Sequence, residues 1–418
     1  MNSKVTNLSE IKSPTILWKD VNEKGKPLQT LENIEIALEY LNIGVKFNQV
    51  SKSVEVVGIC DQDTELDVIV TEIASKLMRI GLSIADKQLG SKLYAVAVRN
   101  AYNPLHDYLE ECKSLDNKGI DYIRKAWECL TLSDSVDKEE EQFLYECFKI
   151  ALVNAYQLWH NTKTKQLSQE FVPVLQGKQG IGKTRFLTNL LPCEFVKKGL
   201  SLDPGNKDSV IQATSSPLSE LGELESTTKK DVGPLKAFLT DSMDIYRRPY
   251  GSSYIKVART TFFVGTVNQE QFLNDDTGSR RFVIFPVESI EQCNFDIRLI
   301  WKCVADIEPT TNIYANYEQL EKRQAHNEKY NLKTDTDLIV SDYISKPTGS
   351  DIQYATSTEI ADYINSVYRG LKVKPTQIGK SLKKLGYDQD SKSTRHGNKV
   401  GRFWYIKPLP KVDSDMPF

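Results

Sequence analysis

Gly177-Lys178-Gln179-Gly180-Ile181-Gly182-Lys183-Thr184 sets three glycines ahead of a lysine and a hydroxyl residue. It lies between the apolar run Phe171-Val172-Pro173-Val174-Leu175 and a stretch, residues 185–191, that reads as a helix. Each residue type answers a chemical demand. Glycines let the backbone turn tightly and aim its N–H groups at an anion, the lysine adds a mobile positive charge, and the threonine hydroxyl suits a divalent cation. The order strand, loop, helix is that of a phosphate-binding loop. The chain is therefore expected to bind a nucleoside triphosphate with Mg²⁺ through Gly177, Gly180, Ile181, Gly182, Lys183, Thr184 and Arg185. Lys183 is expected to face solvent in the ligand-free loop.

Hydrolysis needs a second, acidic element at the end of a neighbouring strand, where it holds the cation and polarises water. Pro217-Leu218-Ser219-Glu220-Leu221-Gly222-Glu223 is the candidate. The preceding Ala213-Thr214-Ser215-Ser216 is too poor in apolar side chains to mark a strand, so the roles of Glu220 and Glu223 stay open between them. Thr261-Phe262-Phe263-Val264-Gly265-Thr266-Val267 reads as a buried strand. It ends in Asn268, a polar group able to orient the water or sense the γ-phosphate. Asp275, Asp276, Gly278 and the pair Arg280-Arg281 precede a further strand at residues 282–285, and an arginine at a subunit boundary can reach a neighbour's γ-phosphate. Residues 246–254 read as a hairpin whose Arg247, Arg248 and Tyr250 flank a Gly-Ser turn, a tip suited to a nucleic-acid backbone.

These residues need elements to hold them. Alternating strand and helix over residues 171–287 implies an α/β nucleotide-binding domain, placed at 166–290. Upstream, Thr30 caps a helix through Tyr40, and Val45-Lys46-Phe47 and Val54-Glu55-Val56-Val57 read as short strands of a small mixed unit, 1–60. Ile69, Ile73, Leu77 and Ile80 share one helical face, which opens a helical domain over 61–165. Charged helices form an extension over 291–345, and Lys346-Pro347-Thr348-Gly349-Ser350 marks a linker, 346–352.

The last domain, 353–411, is read from two amphipathic helices and a hairpin. Ile360, Ile364 and Val367 share one face of the first helix, and Ile378, Leu382 and Leu385 one face of a second that opens at Pro375. Arg395-His396-Gly397-Asn398 forms the turn of the hairpin, with residues 400–406 as its returning strand. This is a winged helix-turn-helix pattern. Lys374, Thr376, Gln377, Lys380, Ser381 and Lys384 fall on or beside the exposed face of the second helix, with Lys392, Arg395, Lys399 and Arg402 flanking the wing. A formal net charge of -2 hides an asymmetry, since residues 351–411 hold twelve Lys or Arg against five Asp or Glu. That basic module is expected to bind duplex DNA.

Composition narrows the remaining classes. The 418 residues, 40% hydrophobic, contain no apolar run of membrane-spanning length and no apolar signal core at the N-terminus, so a cytoplasmic protein without membrane contact is expected. Seven singly spaced cysteines and four histidines offer neither a disulfide framework nor a zinc-site spacing.

Taken in order, Glu220-Leu221-Gly222-Glu223-Leu224, Leu235-Lys236-Ala237-Phe238-Leu239-Thr240, Tyr246-Arg247-Arg248-Pro249-Tyr250-Gly251, Val264-Gly265-Thr266-Val267-Asn268 and Asp276-Thr277-Gly278-Ser279-Arg280-Arg281-Phe282 resemble the virulence-associated protein E family, within the superfamily 3-like AAA+ ATPases of phages and mobile elements. The layout is similar to that of the replication initiator-helicases of staphylococcal pathogenicity islands. The resemblance implies an AAA+ core that works as a homo-hexameric ring, hydrolyses ATP between subunits and moves on single-stranded DNA. It also implies recognition of duplex origin DNA, and activity in the cytoplasm of a bacterial host. By the same resemblance, Lys183 and Thr184 bind phosphate and Mg²⁺, Glu220 and Glu223 fill the Walker B role with Glu220 beside the metal, and Asn268 is the sensor. Arg281, with Arg280 as its close alternative, is then the arginine finger, and Arg247, Arg248 and Lys256 belong to the pore hairpin. With no zinc-ligand cysteine set ahead of the ATPase, priming is expected from a separate primase or from host replication proteins. The competing expectation is an ATP-switched DNA-binding regulator that does not unwind.

Overall fold

The computed structural model describes residues 16–59, 65–222, 224, 232–247, 254–270, 272–273, 281–331, 333–349, 351–368, 370 and 372–410. They fall into two compact units, one drawn from residues 1–269 and 280–320, the other from 270–279 and 321–418.

The first unit begins with helix α1 (Leu31–Tyr40), opened by Thr30, whose hydroxyl accepts from the Asn33 N–H. Strands β1 (Gly44–Asn48) and β2 (Ser53–Val57) pair antiparallel, and β3 (Ala101–Tyr102) adds in parallel to β1. Helices α2 (Leu66–Arg79) and α3 (Asp86–Arg99) were expected to belong with the later helices. Instead Ile69, Ile73 and Leu77 of α2 and Leu89, Leu93 and Val96 of α3 form one core with Val45, Phe47, Ile34 and Leu38, because the apolar face of the small sheet has to be covered by helices.

Helices α4 (Pro104–Lys113), α5 (Tyr122–Glu128) and α6 (Lys138–Trp159), with strand β4 (Leu130–Leu132), join a second core. Its centre is a mixed sheet containing β5 (Val172–Gln176), β6 (Val196–Leu200), β7 (Leu218–Leu221), β10 (Phe262–Val267) and β11 (Phe282–Ile290). The order is β4-β11-β5-β10-β7-β6, parallel except for β4 against β11. β5, β7 and β10 are buried along their whole length, as strands covered on both faces must be. Helices α7 (Lys183–Thr188) and α8 (Lys207–Ala213) connect strands. Helix α9 (Val232–Leu239) leads into the hairpin β8 (Met243–Arg247) and β9 (Tyr254–Ala258), and α10 (Arg298–Ile307) follows β11. Trp159 of α6 and Trp301 of α10 meet edge-on at 4.7 Å, and their indole N–H groups donate to the Pro217 and Leu190 carbonyls, so both large rings are buried without an unmet donor.

Helix α11 (Tyr317–Glu328) runs out of the first unit's segment into the second. There α12 (Asp335–Tyr343), α13 (Ser357–Val367) and α14 (Pro375–Lys384) share one core, to which Ile339, Val340 and Ile344 contribute. That core therefore extends across the residues expected as a linker. Strand β12 (Gln353–Ala355) pairs with β15 (Trp404–Ile406), and β13 (Thr394–His396) with β14 (Lys399–Gly401). The hairpin turn is narrower than expected, with Arg395 and His396 already in β13 and Gly397 at φ 62°. The returning strand is interrupted at Arg402 and Phe403, after which β15 turns to a different partner. Among the described residues no helix is long and apolar enough to cross a membrane.

Candidate nucleotide site

The loop leaves β5 at the carboxyl edge of the parallel strands, where open α/β sheets bind ligands. Gly177 is forced by crowding, since a Cβ there would stand 2.2 Å from the Val287 carbonyl oxygen. Gly180 and Gly182 take φ of +87° and +95°, open to glycine and strained for other residues. The following helix runs from Lys183 to Thr188 and its cap at Asn189, earlier and shorter than the expected 185–191.

Lys183 does not face solvent as the sequence reading expected. Its side chain folds back over the loop and is 6% exposed, and its ammonium donates to the carbonyls of Gly177 at 2.7 Å and Lys178 at 2.8 Å and to Asn268 Oδ1 at 2.9 Å. A buried ammonium demands acceptors, and the loop's own carbonyls are the nearest. Asn268, expected to orient the water or sense the γ-phosphate, lies just past β10 and accepts from Lys183.

Glu220 is 1% exposed in β7. Its Oε1 accepts from the Thr266 hydroxyl at 2.7 Å and the Thr184 hydroxyl at 3.3 Å, and its Oε2 from the Gly199 N–H at 2.7 Å. This is a carboxylate held in place by three donors, one of them the loop's own hydroxyl. Thr266 was not foreseen, although it lies at the end of β10, two residues before Asn268. Gly199 was not foreseen either. Its approach is so close that a Cβ on Gly222 would lie 2.9 Å from its Cα.

A cavity of about 540 Å³ opens among Lys183, Thr184, Glu220, Thr266 and Asn268. A second, of about 510 Å³, shares Gly180, Gly182 and Arg185 with it and is walled by Phe186, Leu190, Ile290, Gln292, Cys293 and Ile297. Both sizes suit a small ligand. A hydroxyl beside a carboxylate is an all-oxygen donor pair that fits Mg²⁺.

Arg281 lies elsewhere. Phe282, its neighbour, pairs with Val172 at the start of β5, whereas Pro286 pairs with Gln176, the last residue before the loop. Five residue steps, roughly 17 Å, separate Arg281 from Pro286 at the phosphate edge of its own sheet. Glu223, Arg248, Tyr250 and Arg280, together with the side chain of Arg247, fall outside the described residues. Lys256 is exposed on β9.

The root of the β8–β9 hairpin is tied down by groups the sequence did not single out. Asp244 and Arg259, 3% and 1% exposed, pair at 2.8 Å, and the guanidinium also donates to the Phe238 carbonyl and lies over the Phe238 ring. Lys52, at the β1–β2 turn, donates to the Thr214 carbonyl at 2.7 Å and approaches Asp244 at 3.5 Å. Burial lowers the Lys52 ammonium below its ordinary value, against the pull of Asp244.

In the second unit Lys374, Thr376, Gln377 and Lys380 of the α14 segment are exposed, as is Arg395. Ser381 and Lys384 are not on the open face. Ser381 is buried and donates to Asp337 Oδ1 at 2.5 Å, and Lys384 pairs with Asp337 Oδ2 at 2.8 Å, because α12 packs where solvent was expected. Burial alone would raise the Asp337 carboxyl, but hydrogen bonds from Lys384, Ser381 and the Thr334 N–H hold it below its ordinary value. Lys399, expected at the wing, is exposed yet paired with Glu359.

No curated protein matches the sequence. Among solved structures, the apo structure of the NrS-1 C-terminal region is similar at 12% identity and TM-score 0.39, covering 88% of this chain and 97% of that one. An A-form apo structure of the same region gives 14% and 0.42, covering 88% and 98%. Scores of this size carry no functional inference. The sequence profile of the virulence-associated protein E-like domain matches residues 112–335, a span that holds the phosphate loop, Glu220, Asn268 and Arg281. With more than half of its length so matched, the chain belongs to the virulence-associated protein E-like family.

Proposed function

We propose that this protein is an ATP-hydrolysing replicative DNA helicase and replication initiator of a phage or mobile element, with an AAA+ core of the superfamily 3 type. The observation that carries the reading is the meeting of Lys183, Thr184, Glu220, Thr266 and Asn268 at one cavity on the carboxyl edge of the sheet. Mg²⁺, held by Thr184 and Glu220, would supply charge neutralisation at the phosphates. Lys183 would exchange its carbonyl partners for phosphate oxygens while Asn268 keeps it aimed. Glu223 is the residue for polarising the attacking water, since Glu220 already accepts from three donors. The cavity walled by Phe186, Leu190 and Ile297 would take the nucleoside.

Arg281, with Arg280 as the alternative, would act on the neighbouring subunit's nucleotide in a homo-hexamer. Its position on the opposite sheet edge supports this, because it is too far along its own strand to serve its own loop. The β8–β9 hairpin, with Arg247, Arg248, Tyr250 and Lys256, would grip single-stranded DNA by its backbone. In the second unit, α13, α14 and the β13–β14 hairpin fit a winged helix, with Lys374, Thr376, Gln377, Lys380 and Arg395 toward duplex origin DNA. A separate primase or host replication proteins in the bacterial cytoplasm would complete initiation.

The test is a forked-duplex unwinding assay with ATP, run beside native mass measurement. ATP-dependent strand separation by a hexamer is the expected outcome. Hydrolysis with no separation would turn the reading to a nucleotide-switched DNA-binding regulator. Mixed Lys183→Ala and Arg281→Ala subunits, each inactive alone, should recover part of the ATPase rate once subunits are shown to exchange.

A further inference from the structure

Two thiols meet behind the nucleoside cavity. Cys129 caps the end of α5 and Cys293 follows β11, and their sulfurs lie 3.2 Å apart with Cys293 donating to Cys129. The backbone holds the two segments together, with Ile290 paired to Leu130 and the Glu291 N–H donating to the Cys129 carbonyl at 2.8 Å. Both residues are half-buried, and Cys293 lines the cavity that shares Gly182 and Arg185 with the phosphate loop. Cys129 is itself partly exposed, so an oxidant can reach it directly. Burial, reinforced by the hydrogen bond to Cys129, pushes the Cys293 thiol up to about 12, so Cys293 keeps its proton, and the first attack falls to Cys129, whose S–H donates to the Lys125 carbonyl. Cys112, Cys147 and Cys303 are buried and Cys193 is exposed, so the cavity thiol with a second sulfur beside it differs from these. The hydrolysis proposed above uses neither Cys129 nor Cys293.

We propose that Cys129 and Cys293 form an oxidisable pair, closed to a disulfide by a low-molecular-weight disulfide such as oxidised glutathione, and that closure weakens nucleoside triphosphate binding in the adjoining cavity. The second half rests on the nucleotide site proposed above. In the first step the Cys129 thiolate attacks one sulfur of oxidised glutathione, forming a mixed disulfide and releasing one glutathione thiolate, which takes up the proton Cys129 lost. Cys293 then gives its proton to solvent, and its sulfur attacks that of Cys129. The Cys129–Cys293 bond forms and the second glutathione leaves as a thiolate that is reprotonated. The protein loses two electrons and two protons, and the oxidant gains both. Since a disulfide is about 2.05 Å long, the sulfurs must close by about 1.2 Å from their 3.2 Å separation, which draws the Ile290 to Cys293 wall toward α5 and reshapes the cavity.

The experiment incubates the full chain at pH 8 with oxidised or reduced glutathione, maps disulfide-linked peptides by mass, and titrates each sample with a fluorescent ATP analogue and Mg²⁺. A linked Cys129–Cys293 peptide is expected, together with a roughly tenfold rise in Kd that reduced glutathione reverses. Cys129→Ser and Cys129→Ala should bind the analogue as the reduced protein does and ignore the oxidant. Absence of the linked peptide overturns the pair, and a linked peptide with unchanged Kd overturns the control of binding. Reduced protein that fails to bind the analogue at all overturns the nucleotide site and the control together.

Discussion

The phosphate-loop edge of the sheet and the basic helix α14 both place lysines where a polyanion is proposed to bind, and they do so in opposite ways. Lys183 is buried and bonded to the Gly177 and Lys178 carbonyls and to Asn268, whereas Lys374 and Lys380 stand in solvent. A buried, pre-aimed cation can distinguish one phosphate position from another, at the cost of being held before the ligand arrives. Exposed lysines supply screened attraction spread over many geometries, so each contributes little and salt weakens it. Under the proposed function the same residue type would carry chemistry at one site and affinity at the other.

The largest effect should follow from breaking the buried side. Lys183→Ala should lower the ATP turnover rate by about 100-fold or more, as loss of a transition-state charge contact does, measured as phosphate release at saturating ATP. Near wild-type turnover would remove Lys183 from the site. Thr266→Val tests a residue found only in the fold. It deletes one donor to the Glu220 carboxylate and should cut turnover by about tenfold, the size of one charge-assisted hydrogen bond, while raising the Mg²⁺ concentration needed for half-maximal rate. An unchanged Mg²⁺ requirement would mean that Thr266 does not position Glu220.

Two lysines one helical turn apart sharpen the comparison further. Lys380→Ala should weaken duplex binding by a few-fold and reduce the salt slope by about one contact, with thermal stability unchanged. Lys384→Ala should do the reverse, because Lys384 already pairs with buried Asp337. Anisotropy titrations across a salt series, beside melting curves, separate the two. The smallest effect is in acid. The folded Asp337 carboxyl titrates below its ordinary value, so its contribution to stability is complete above the usual carboxylate range and is lost as pH falls through the lower folded value. Asp337→Asn should flatten that part of the stability profile between pH 5 and the acid limb, followed by denaturant melts; an unaltered profile would show that the Lys384 and Ser381 contacts do not favour the charged form.

What was legible in the sequence follows the same division. The phosphate loop could be read because its backbone accepts few alternatives, Gly177 by crowding and Gly180 and Gly182 by their positive φ. The helix α1 was legible from its Thr30 cap, a local device. β7 was hard to see because its middle residues are polar. Ser219 is satisfied by the Ala213 carbonyl and Glu220 by Thr184, Thr266 and Gly199, and none of those partners is adjacent in sequence. The Lys52, Asp244 and Arg259 cluster was invisible for the same reason, since it joins the two arms of the β8–β9 hairpin to the distant β1–β2 turn. Lys384 misled because its partner belongs to α12, which the Pro-Gly stretch after Ile344 seemed to cut away from the last domain.

The carboxyl edge of β5, β7 and β10 is proposed as a Mg·ATP site. It is tested most directly by a crystal structure of the full chain with Mg²⁺ and a non-hydrolysable ATP analogue. The account predicts the β-phosphate within hydrogen-bond distance of the loop N–H groups and Lys183, the metal on Thr184 with Glu220 beside it, and the base among Phe186, Leu190 and Ile297. An analogue bound elsewhere, with Lys183 still on the Gly177 and Lys178 carbonyls, would contradict it.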